Sequence, residues 1–251
     1  MDMSGFDIAR YLSLLPLFHD VRPAELDRLV QAARLRQLAR GEIIFRVGQP
    51  CSEFHVVVSG QIKLFALSPQ GQEKIIEIVG AGCSCAEAFM LLERPYLVSG
   101  QALTETVLLT VSRQAVIREI EDNRDFSMRM LAGLSMRLHS LIHDVQAYAL
   151  QTGVERVIGY LLRELPETRA GQNAPHKPAS VTLPVSKAAI ASRLSMTPEY
   201  FSRVLHELES QGLITVGRRE ITIPDLAKLT CLPTVKSVHT LQGMRPCAAQ
   251  N

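Results

Sequence analysis

The sequence predicts an α+β protein in which an antiparallel β-barrel or roll is followed by a long helix and a winged helix-turn-helix. Short β-prone runs recur between glycines about every ten residues in the first half of the chain. A sustained heptad repeat follows, and two short helical patterns then precede a β-hairpin pattern. We expect a β-roll at 1–122, a long helix at 123–150, a winged helix-turn-helix at 151–232 and a disordered tail at 233–251.

The composition is that of a chain able to build two modest domains. With 251 residues and 47% hydrophobic content, the protein can bury one large core or two smaller ones. No apolar run reaches the roughly 20 residues that span a bilayer, and the N-terminal residues lack the basic and apolar regions of a signal peptide. We therefore expect a cytoplasmic protein with no membrane partner, whose five cysteines are reduced.

The N-terminal region has a helical pattern from about residue 7 to residue 37. Leu26, Leu29, Val30 and Ala33 fall on one apolar stripe after a start at Pro23. Five β-prone runs follow and predict the roll, namely 43–46, 54–58, 61–65, 74–79 and 106–111. The last of these runs is expected to close it.

The long helix is predicted from about residue 124 to beyond residue 148. Six apolar positions repeat along it with a strict 3-4-3-4-3 spacing: Leu131, Leu134, Leu138, Leu141, Val145 and Tyr148. This spacing is typical of a coiled-coil seam, which favours a parallel homodimer through a dimerisation helix. The alternative is that the stripe packs against the protein's own roll, as most amphipathic helices do.

The helix-turn-helix is predicted from caps and periodicity. Ser186 can cap a short helix at 187–194, Ser195 and Met196 form a turn, and Thr197 can cap a second helix with proline at its first position. That second helix has an apolar stripe, which consists of Phe201, Val204, Leu205 and Leu208. Gly212 provides its stop signal.

The second helix also has a polar face, where Glu199, Ser202, Arg203 and His206 repeat with helical spacing. A carboxylate, a hydroxyl and a guanidinium can hydrogen-bond to base edges in a DNA major groove. The alternative is an exposed ion pair between Glu199 and Arg203, worth a few tenths of a kcal/mol. The formal net charge of +2 does not decide between the two interpretations.

A small β-hairpin is predicted after the second helix, from strands at 213–216 and 220–223. Arg218 and Arg219 lie at its tip, from which they could reach phosphates beside the groove. The candidate DNA-binding residues are therefore Thr197, Glu199, Ser202, Arg203, His206, Arg218 and Arg219. The sequence contains no metal-ligand, Ser-His-Asp, P-loop or dinucleotide motif, so we do not expect an enzyme.

The order of these parts resembles the cyclic-AMP receptor and fumarate–nitrate regulator (Crp/Fnr) superfamily over roughly residues 10 to 230. The resemblance is carried by 40–45 with Gly48, by 58–64, by 71–74 and by 199–203. It implies a cyclic-nucleotide-binding-like roll, which is a double-stranded β-helix, and a homodimer that binds promoter palindromes and RNA polymerase. These implications lead us to expect a transcriptional regulator.

Within the superfamily, three stretches are most similar to the dissimilatory nitrate-respiration regulators. They are 71–74, 86–88 and 96–102. Members of this branch respond to nitric oxide or low oxygen and switch on denitrification and anaerobic respiration. The branch implies control of anaerobic or redox-responsive genes here.

The resemblance also implies how bases are read. A glutamate followed three residues later by Ser-Arg is the signature of the fumarate–nitrate branch, whose half-site is TTGAT. Arg203 would then bind guanine O6 and N7, Glu199 would accept from a cytosine or adenine amino group, and Ser202 would contact the neighbouring base. One departure is Ser195, where many members carry glycine; serine is tolerable there if it avoids the left-handed region.

Cyclic AMP is not the expected effector. Members that bind it show a Gly-Glu pair and, about ten residues later, an arginine that neutralises the cyclic phosphate. This chain keeps Glu87, but Ala86 replaces the glycine, and Leu97 and Val98 stand where the arginine and its partner would be. A cyclic-nucleotide-binding module or cyclic-AMP-responsive regulator remains the alternative function.

The remaining effector candidates are thiols and histidines. An iron–sulfur cluster is not expected. The resemblance to the fumarate–nitrate regulator would require an N-terminal cysteine cluster and a later cysteine, whereas the first cysteine of this chain is Cys51. Cys83 and Cys85 could ligate haem or a metal or react with oxidants, or they could be small apolar fillers. His19, His55, His139 and His143 are possible haem ligands, and the branch implies haem without a matched ligand. Taken together, the candidate effector pocket consists of Cys83, Cys85, Glu87, Leu97 and Ser99.

Overall fold

The computed structural model describes residues 6–18, 21–165 and 178–230. The chain forms two compact units that divide between His139 and Ser140, and the 27-residue helix α5 (Arg124–Leu150) runs through this boundary. A single helix therefore occupies the segment that the heptad repeat predicted. The predicted disordered tail at 233–251 lies outside the described residues. The same holds for most of the segment 167–180, where the content of proline, glycine and polar residues predicts a loop.

The first unit is built on two four-stranded antiparallel sheets. Its helices before α5 are α1 (Ile8–Leu14), α2 (Pro23–Gln31), α3 (Glu87–Leu91) and α4 (Arg113–Asp122), with a 3-10 turn at Pro16–Phe18. Its strands are β1 (Ala33–Leu38), β2 (Ile43–Phe45), β3 (Glu53–Ser59), β4 (Gln61–Leu67), β5 (Glu73–Gly80), β6 (Ser84–Cys85), β7 (Ser99–Ala102) and β8 (Thr106–Ser112). The sheet orders are β1-β8-β3-β6 and β2-β7-β4-β5, which confirms the predicted roll.

Aromatic rings join the roll to the helices around it. The ring centroid of Phe18 lies 6.2 Å from that of Phe54 on β3 and 5.6 Å from that of Phe126 on α5. All three side chains are at most 1% exposed. Burial of such large apolar surfaces is the main force that holds α5 onto the roll within this unit.

The N-terminal helix ends earlier than predicted. α2 stops at Gln31, and β1 pairs with β8 from Ala33↔Val111 to Leu38↔Thr106. The prediction of helix up to residue 37, with Ala33 on its stripe, is therefore wrong. Cross-strand pairing at the sheet edge outweighs the local helical pattern of the segment.

The second unit contains α6 (Gly153–Arg163), α7 (Lys187–Arg193), α8 (Pro198–Ser210) and α9 (Leu226–Thr230), with β9 (Ala179–Thr182), β10 (Thr215–Val216) and β11 (Glu220–Ile223). The three strands form one antiparallel sheet in the order β10-β11-β9. The predicted loop at 167–180 is thus wrong at its end, because Ala179 and Ser180 pair with Ile223 and Thr222 in β11.

Candidate nucleic-acid interface and sensor region

Side-chain caps start both helices of the helix-turn-helix, as the sequence predicted. Ser186 Oγ accepts from Ala189 N at 3.2 Å, and Thr197 Oγ1 accepts from Tyr200 N at 3.2 Å. Gly212 follows α8 in the left-handed region with φ of 67°, where glycine carries no steric penalty. The helix α8 therefore has defined ends, which fix the direction of every side chain on it.

The two faces of α8 separate cleanly by burial. Phe201, Val204, Leu205 and Leu208 are buried at 3% exposure or less, which confirms the apolar stripe. The opposite face is exposed along its length, with the side chains of Thr197, Glu199, Ser202, Arg203 and His206. A row of exposed hydrogen-bonding groups on a helix anchored from behind has the form required to enter a major groove.

Arg203 and Glu199 are directed by different partners. The Glu199 carboxylate bonds its own backbone N–H and the Thr197 side chain, and these bonds lower its pKa. The guanidinium of Arg203 lies over the Tyr200 ring, with Cζ 5.6 Å from the centroid. Within the described residues, Arg203 forms no ion pair with Glu199. Both charged groups are therefore available to a ligand.

The turn between α7 and α8 contains a left-handed residue that is not glycine. Ser195 has φ of 56°, so the condition expected from the sequence, that serine avoids this region, is not met. Such a conformation costs about 1–2 kcal/mol. It is supported by a backbone bond from Met196 N to Ala191 O at 3.0 Å and by a bond between the Ser195 and Tyr148 side chains.

A buried polar cluster surrounds that turn in the second unit. The Asp144 carboxylate accepts from Arg193 Nη2 at 2.5 Å and faces Arg163 Nη1 at 3.8 Å. The Tyr148 hydroxyl donates to Arg193 O and accepts from Arg193 Nη1, each at 2.7 Å. The cluster ties the end of α5 to α6 and α7. The heptad pattern did not reveal it, because its members are brought together from distant parts of the chain.

The predicted hairpin is present and is joined to α8. Val216 N donates to Glu209 Oε1 at 2.8 Å, which links the last turn of α8 to β10. Gly217 N donates to Glu220 O at 2.7 Å and closes the turn, where the Arg218 and Arg219 side chains are exposed. This wing extends beside α8 and presents two positive charges.

Most of the predicted seam on α5 is open to solvent. In the first unit, Leu131 is 55% and Leu138 61% exposed, whereas Leu134 packs partly against the core of the roll. In the second unit, Leu141 and Val145 are exposed, and Tyr148 is held by Arg193. Met128, Met136 and Ile142 widen the exposed apolar surface of the helix.

A buried ion pair lies in the roll and includes the candidate effector residue Glu87. The Glu87 carboxylate is 5% exposed and accepts from Arg137 Nη1 at 2.5 Å and from the Ser84 hydroxyl. Arg137 on α5 also donates to Ser84 O at 2.6 Å and faces Glu77 at 3.4 Å. Arg137 is not among the site residues predicted from the sequence. In the structure it neutralises the candidate effector residue Glu87.

The other effector-pocket candidates differ in their surroundings. Cys85 is fully buried, and burial raises the pKa of its thiol well above the ordinary value, which fits an apolar filler. Cys83 is partly exposed, and Leu97 is 71% exposed to solvent. Ser99 Oγ accepts from Val47 N at 3.2 Å. Ala86 has φ of 71°, a left-handed conformation that alanine rarely adopts.

An aromatic cluster fills part of the roll around His55. Its imidazole is stacked on Phe45 with ring centroids 5.5 Å apart, and its Nε2 lies 2.9 Å from the Tyr96 hydroxyl. The Nδ1 atom is buried without a hydrogen-bond partner. Burial lowers the pKa of His55 to about 4, so the ring is neutral near pH 7.

The segments 6–18, 21–165 and 178–230 contain neither a cluster of metal-binding side chains nor a membrane-spanning helix. No three or more His, Cys, Asp or Glu side chains of these segments form a group that could hold a metal ion. Their helices also lack the combined length and apolar character needed to cross a membrane.

Comparison with known proteins assigns both units to domain families. The cyclic nucleotide-binding domain family matches residues 35–123, and the Crp-like helix-turn-helix domain family matches residues 155–232. The chain is 35% identical to DNR from Pseudomonas aeruginosa, over 88% of this chain and 96% of that one, with a TM-score of 0.47.

Two further relatives cover similar lengths. A candidate cyclic nucleotide binding protein from Ruegeria pomeroyi DSS-3 is 30% identical, with a TM-score of 0.57 over 88% of this chain and 95% of that one. The transcriptional activator protein anr of Pseudomonas aeruginosa is 27% identical over 226 residues, which is 87% of each chain.

Proposed function

Because this chain belongs to the Crp/Fnr family and is a DNA-binding transcriptional regulator of that type, we propose that it acts as a homodimer on promoter palindromes with TTGAT-like half-sites. The observation that supports this most is the exposed polar face of α8, which bears Glu199, Ser202 and Arg203 in front of a buried apolar stripe. We propose no enzymatic activity for it.

Each reading residue has a proposed partner. Arg203 binds guanine O6 and N7 in bidentate fashion, Glu199 accepts from a cytosine or adenine amino group, and Ser202 contacts the next base. Thr197, His206 and the wing residues Arg218 and Arg219 contact the backbone beside the groove. Access of these residues to DNA is supported by exposure, because all seven side chains face solvent.

The homodimer is supported by the exposed apolar surface of α5. An exposed row of leucine and valine is costly in water unless a second copy covers it. Parallel pairing of two α5 helices would give a two-fold dimer whose recognition helices enter successive major grooves, about one turn of duplex apart. RNA polymerase is the further partner that we propose on the promoter.

The test is a binding titration on a TTGAT-N4-ATCAA duplex. It is compared with an adenine-substituted duplex, in which the G·C base pair of each half-site is replaced by an A·T base pair. We expect wild-type protein to prefer the first duplex. Arg203→Ala should lose roughly 1–3 kcal/mol for each half-site contact and should bind the two duplexes alike. An Arg203→Ala protein that still prefers the guanine would refute the assignment.

We propose that the effector is a signal of nitric oxide, low oxygen or redox state, acting through the roll to control anaerobic or denitrification genes. A cyclic nucleotide is the second candidate, because the chain keeps Glu87 in a cyclic nucleotide-binding domain. Two observations weigh against it: Glu87 is already paired with Arg137, and Leu97 offers no positive charge to a cyclic phosphate. Calorimetric titration with cyclic AMP should show no binding.

Haem would couple a gas signal to the protein, but His55 does not fit as its ligand. Its ring is stacked on Phe45 and its Nε2 is bonded to Tyr96, so ligation would require the cluster to open. Protein purified anaerobically with haem supplied tests this directly, because a Soret band that shifts with nitric oxide would assign haem. A featureless spectrum would favour a thiol such as Cys83.

A further inference from the structure

We propose that Tyr200 is a positioning residue for base recognition, which holds Arg203 in place and fastens α8 to the start of α6 through Gly153. This inference rests on the proposed function, since it concerns the same reading surface. On α8, Tyr200 lies between the buried apolar stripe and the exposed polar face, so helical periodicity alone gives it no role. Its support comes from three sets of contacts, all within the second unit.

The first contact holds the Arg203 guanidinium, the group that we propose binds guanine. Arg203 Cζ lies 5.6 Å from the centroid of the Tyr200 ring, within the range of a cation–π interaction. Since Arg203 forms no ion pair with a described carboxylate, the ring is the partner that limits its rotamers. An arginine restricted in this way loses less side-chain entropy when it binds a guanine.

The second contact holds the ring itself. A Cβ atom placed on Gly153 would lie 2.4 Å from Tyr200 Cε1, 2.6 Å from its hydroxyl oxygen and 2.8 Å from Cζ. Gly153 does not have a positive φ, so its backbone conformation would admit other residues. A residue with a Cβ atom at position 153 would therefore displace the Tyr200 ring from the place that it occupies here.

The third observation concerns where the ring is anchored. Gly153 is the first residue of α6, directly after the Thr152 cap, and α5 ends at Leu150. Tyr200 thus joins the recognition helix to the junction that follows the proposed dimerisation helix. It remains 36% exposed, whereas Phe201 beside it is fully buried, so α8 does not need the Tyr200 ring for its core.

The experiment compares Tyr200→Ala with the matched control Tyr200→Phe, using the full chain. The readout is the Kd for the adenine-substituted duplex divided by the Kd for the TTGAT duplex, which is larger the stronger the preference for guanine. Tyr200→Ala should reduce this ratio about two- to fivefold for each half-site, because the exposed cation–π contact is lost. Tyr200→Phe keeps the ring and should retain the wild-type ratio.

Two further arms separate positioning from general weakening. In an Arg203→Ala background, Tyr200→Ala should cause no additional change in the ratio, because the residue that it positions is absent. Gly153→Ala should lower the ratio by displacing the ring. The double variant Gly153→Ala/Tyr200→Ala should be no worse than Tyr200→Ala, since the collision has been removed. The inference would be overturned if Tyr200→Ala weakened binding to both duplexes by the same factor.

If wild-type protein does not distinguish the two duplexes, the half-site assignment is refuted. The positioning role of Tyr200 can still be tested by a measurement without DNA. In proton–nitrogen spectra, the Arg203 Nε–H resonance should be shifted upfield by the Tyr200 ring current in wild type and in Tyr200→Phe. The shift should disappear in Tyr200→Ala and change in Gly153→Ala. An identical resonance in all four proteins would overturn the positioning role.

Discussion

At the residue scale, His55 shows how burial couples one side chain to the stability of the roll. Its imidazole is 2% exposed and its pKa is lowered to about 4, chiefly by desolvation. In the unfolded chain, the pKa would be near the ordinary value of about 6.5. The unfolded state therefore binds a proton more readily than the folded state at every pH between these values.

This difference predicts a loss of stability in weak acid. The folded protein keeps its full stability above about pH 6.5 and loses it as the pH falls towards about 4, by about 2 kcal/mol between pH 7.5 and pH 5.0. Urea unfolding at the two pH values measures the change. His55→Gln should lose less stability over this interval, because the group that takes up the proton on unfolding is absent. Equal losses in wild type and His55→Gln would contradict the prediction.

The residue scale is also where sequence reasoning was least complete. Exposure of Glu199, Ser202 and Arg203 followed from helical spacing alone, because one face of α8 must be buried. The left-handed conformations of Ser195 and Ala86 did not follow, because neither residue favours φ near 60°. Contacts elsewhere in the fold impose these conformations, and a single sequence does not show such contacts.

At the element scale, the helices with strong local signals were predictable, whereas α3, α4, α6 and several strands were not. α5 and α8 carry their own signals in heptads, caps and a glycine stop. By contrast, β7 reads Ser-Gly-Gln-Ala and is stabilised by its position between β2 and β4. A strand of this kind depends on cross-strand partners, which a local pattern cannot identify.

The exposed seam of α5 leads to a prediction about assembly. Leu138→Arg places a charge on the apolar surface, so we expect monomers that bind DNA weakly. Sedimentation and a mobility-shift titration measure the two effects. Gln146→Arg adds the same charge to the same helix away from the seam and should leave a dimer. Dimeric, fully active Leu138→Arg protein would rule out this seam.

The buried cluster at the end of α5 leads to a prediction about the second unit. Asp144→Ala leaves the mostly buried Arg193 guanidinium without its carboxylate, which should cost about 3 kcal/mol of unfolding free energy. Urea unfolding followed by circular dichroism measures this cost. Glu207→Ala removes an exposed carboxylate from α8 and should change stability little. A similar small effect of both variants would show that the cluster is not important for stability.

At the scale of the whole molecule, the placement of positive charge is more important for DNA binding than the net charge. The chain is formally only +2, yet the wing presents Arg218 and Arg219 together beside α8. A dimer would bring four such arginines to one duplex. Such a dimer would concentrate its attraction for phosphates beside the exposed polar face of α8. This would favour binding with α8 placed in the groove over non-specific attraction along the DNA.

The salt dependence of binding tests this distribution. Each phosphate neutralised contributes about 0.9 to the slope of log Kd against log salt concentration, so Arg218→Ala/Arg219→Ala should reduce the slope by about 3–4 for a dimer. The preference for guanine should persist in this variant. Arg40→Ala, a single exposed change in the first unit, should leave the slope unchanged. An unaltered slope in the wing variant would show that the wing does not contact phosphate.

The domain order was predictable at this scale because each part has a strong local signature. The roll shows glycine-spaced strands, and the helix-turn-helix shows two capped helices before a hairpin. The effector could not be predicted from local sequence signatures in the same way. Its candidate residues are scattered from 83 to 99, and their roles depend on partners such as Arg137, which lies on α5.

The contact between Gly153 and Tyr200 has a consequence for the history of related sequences. A methyl group at position 153 and a large ring at position 200 exclude each other in this geometry. The two positions should therefore have changed together during divergence, with larger residues at the first accompanied by smaller residues at the second. Any lineage that lost the glycine would have had to find another support for its reading arginine.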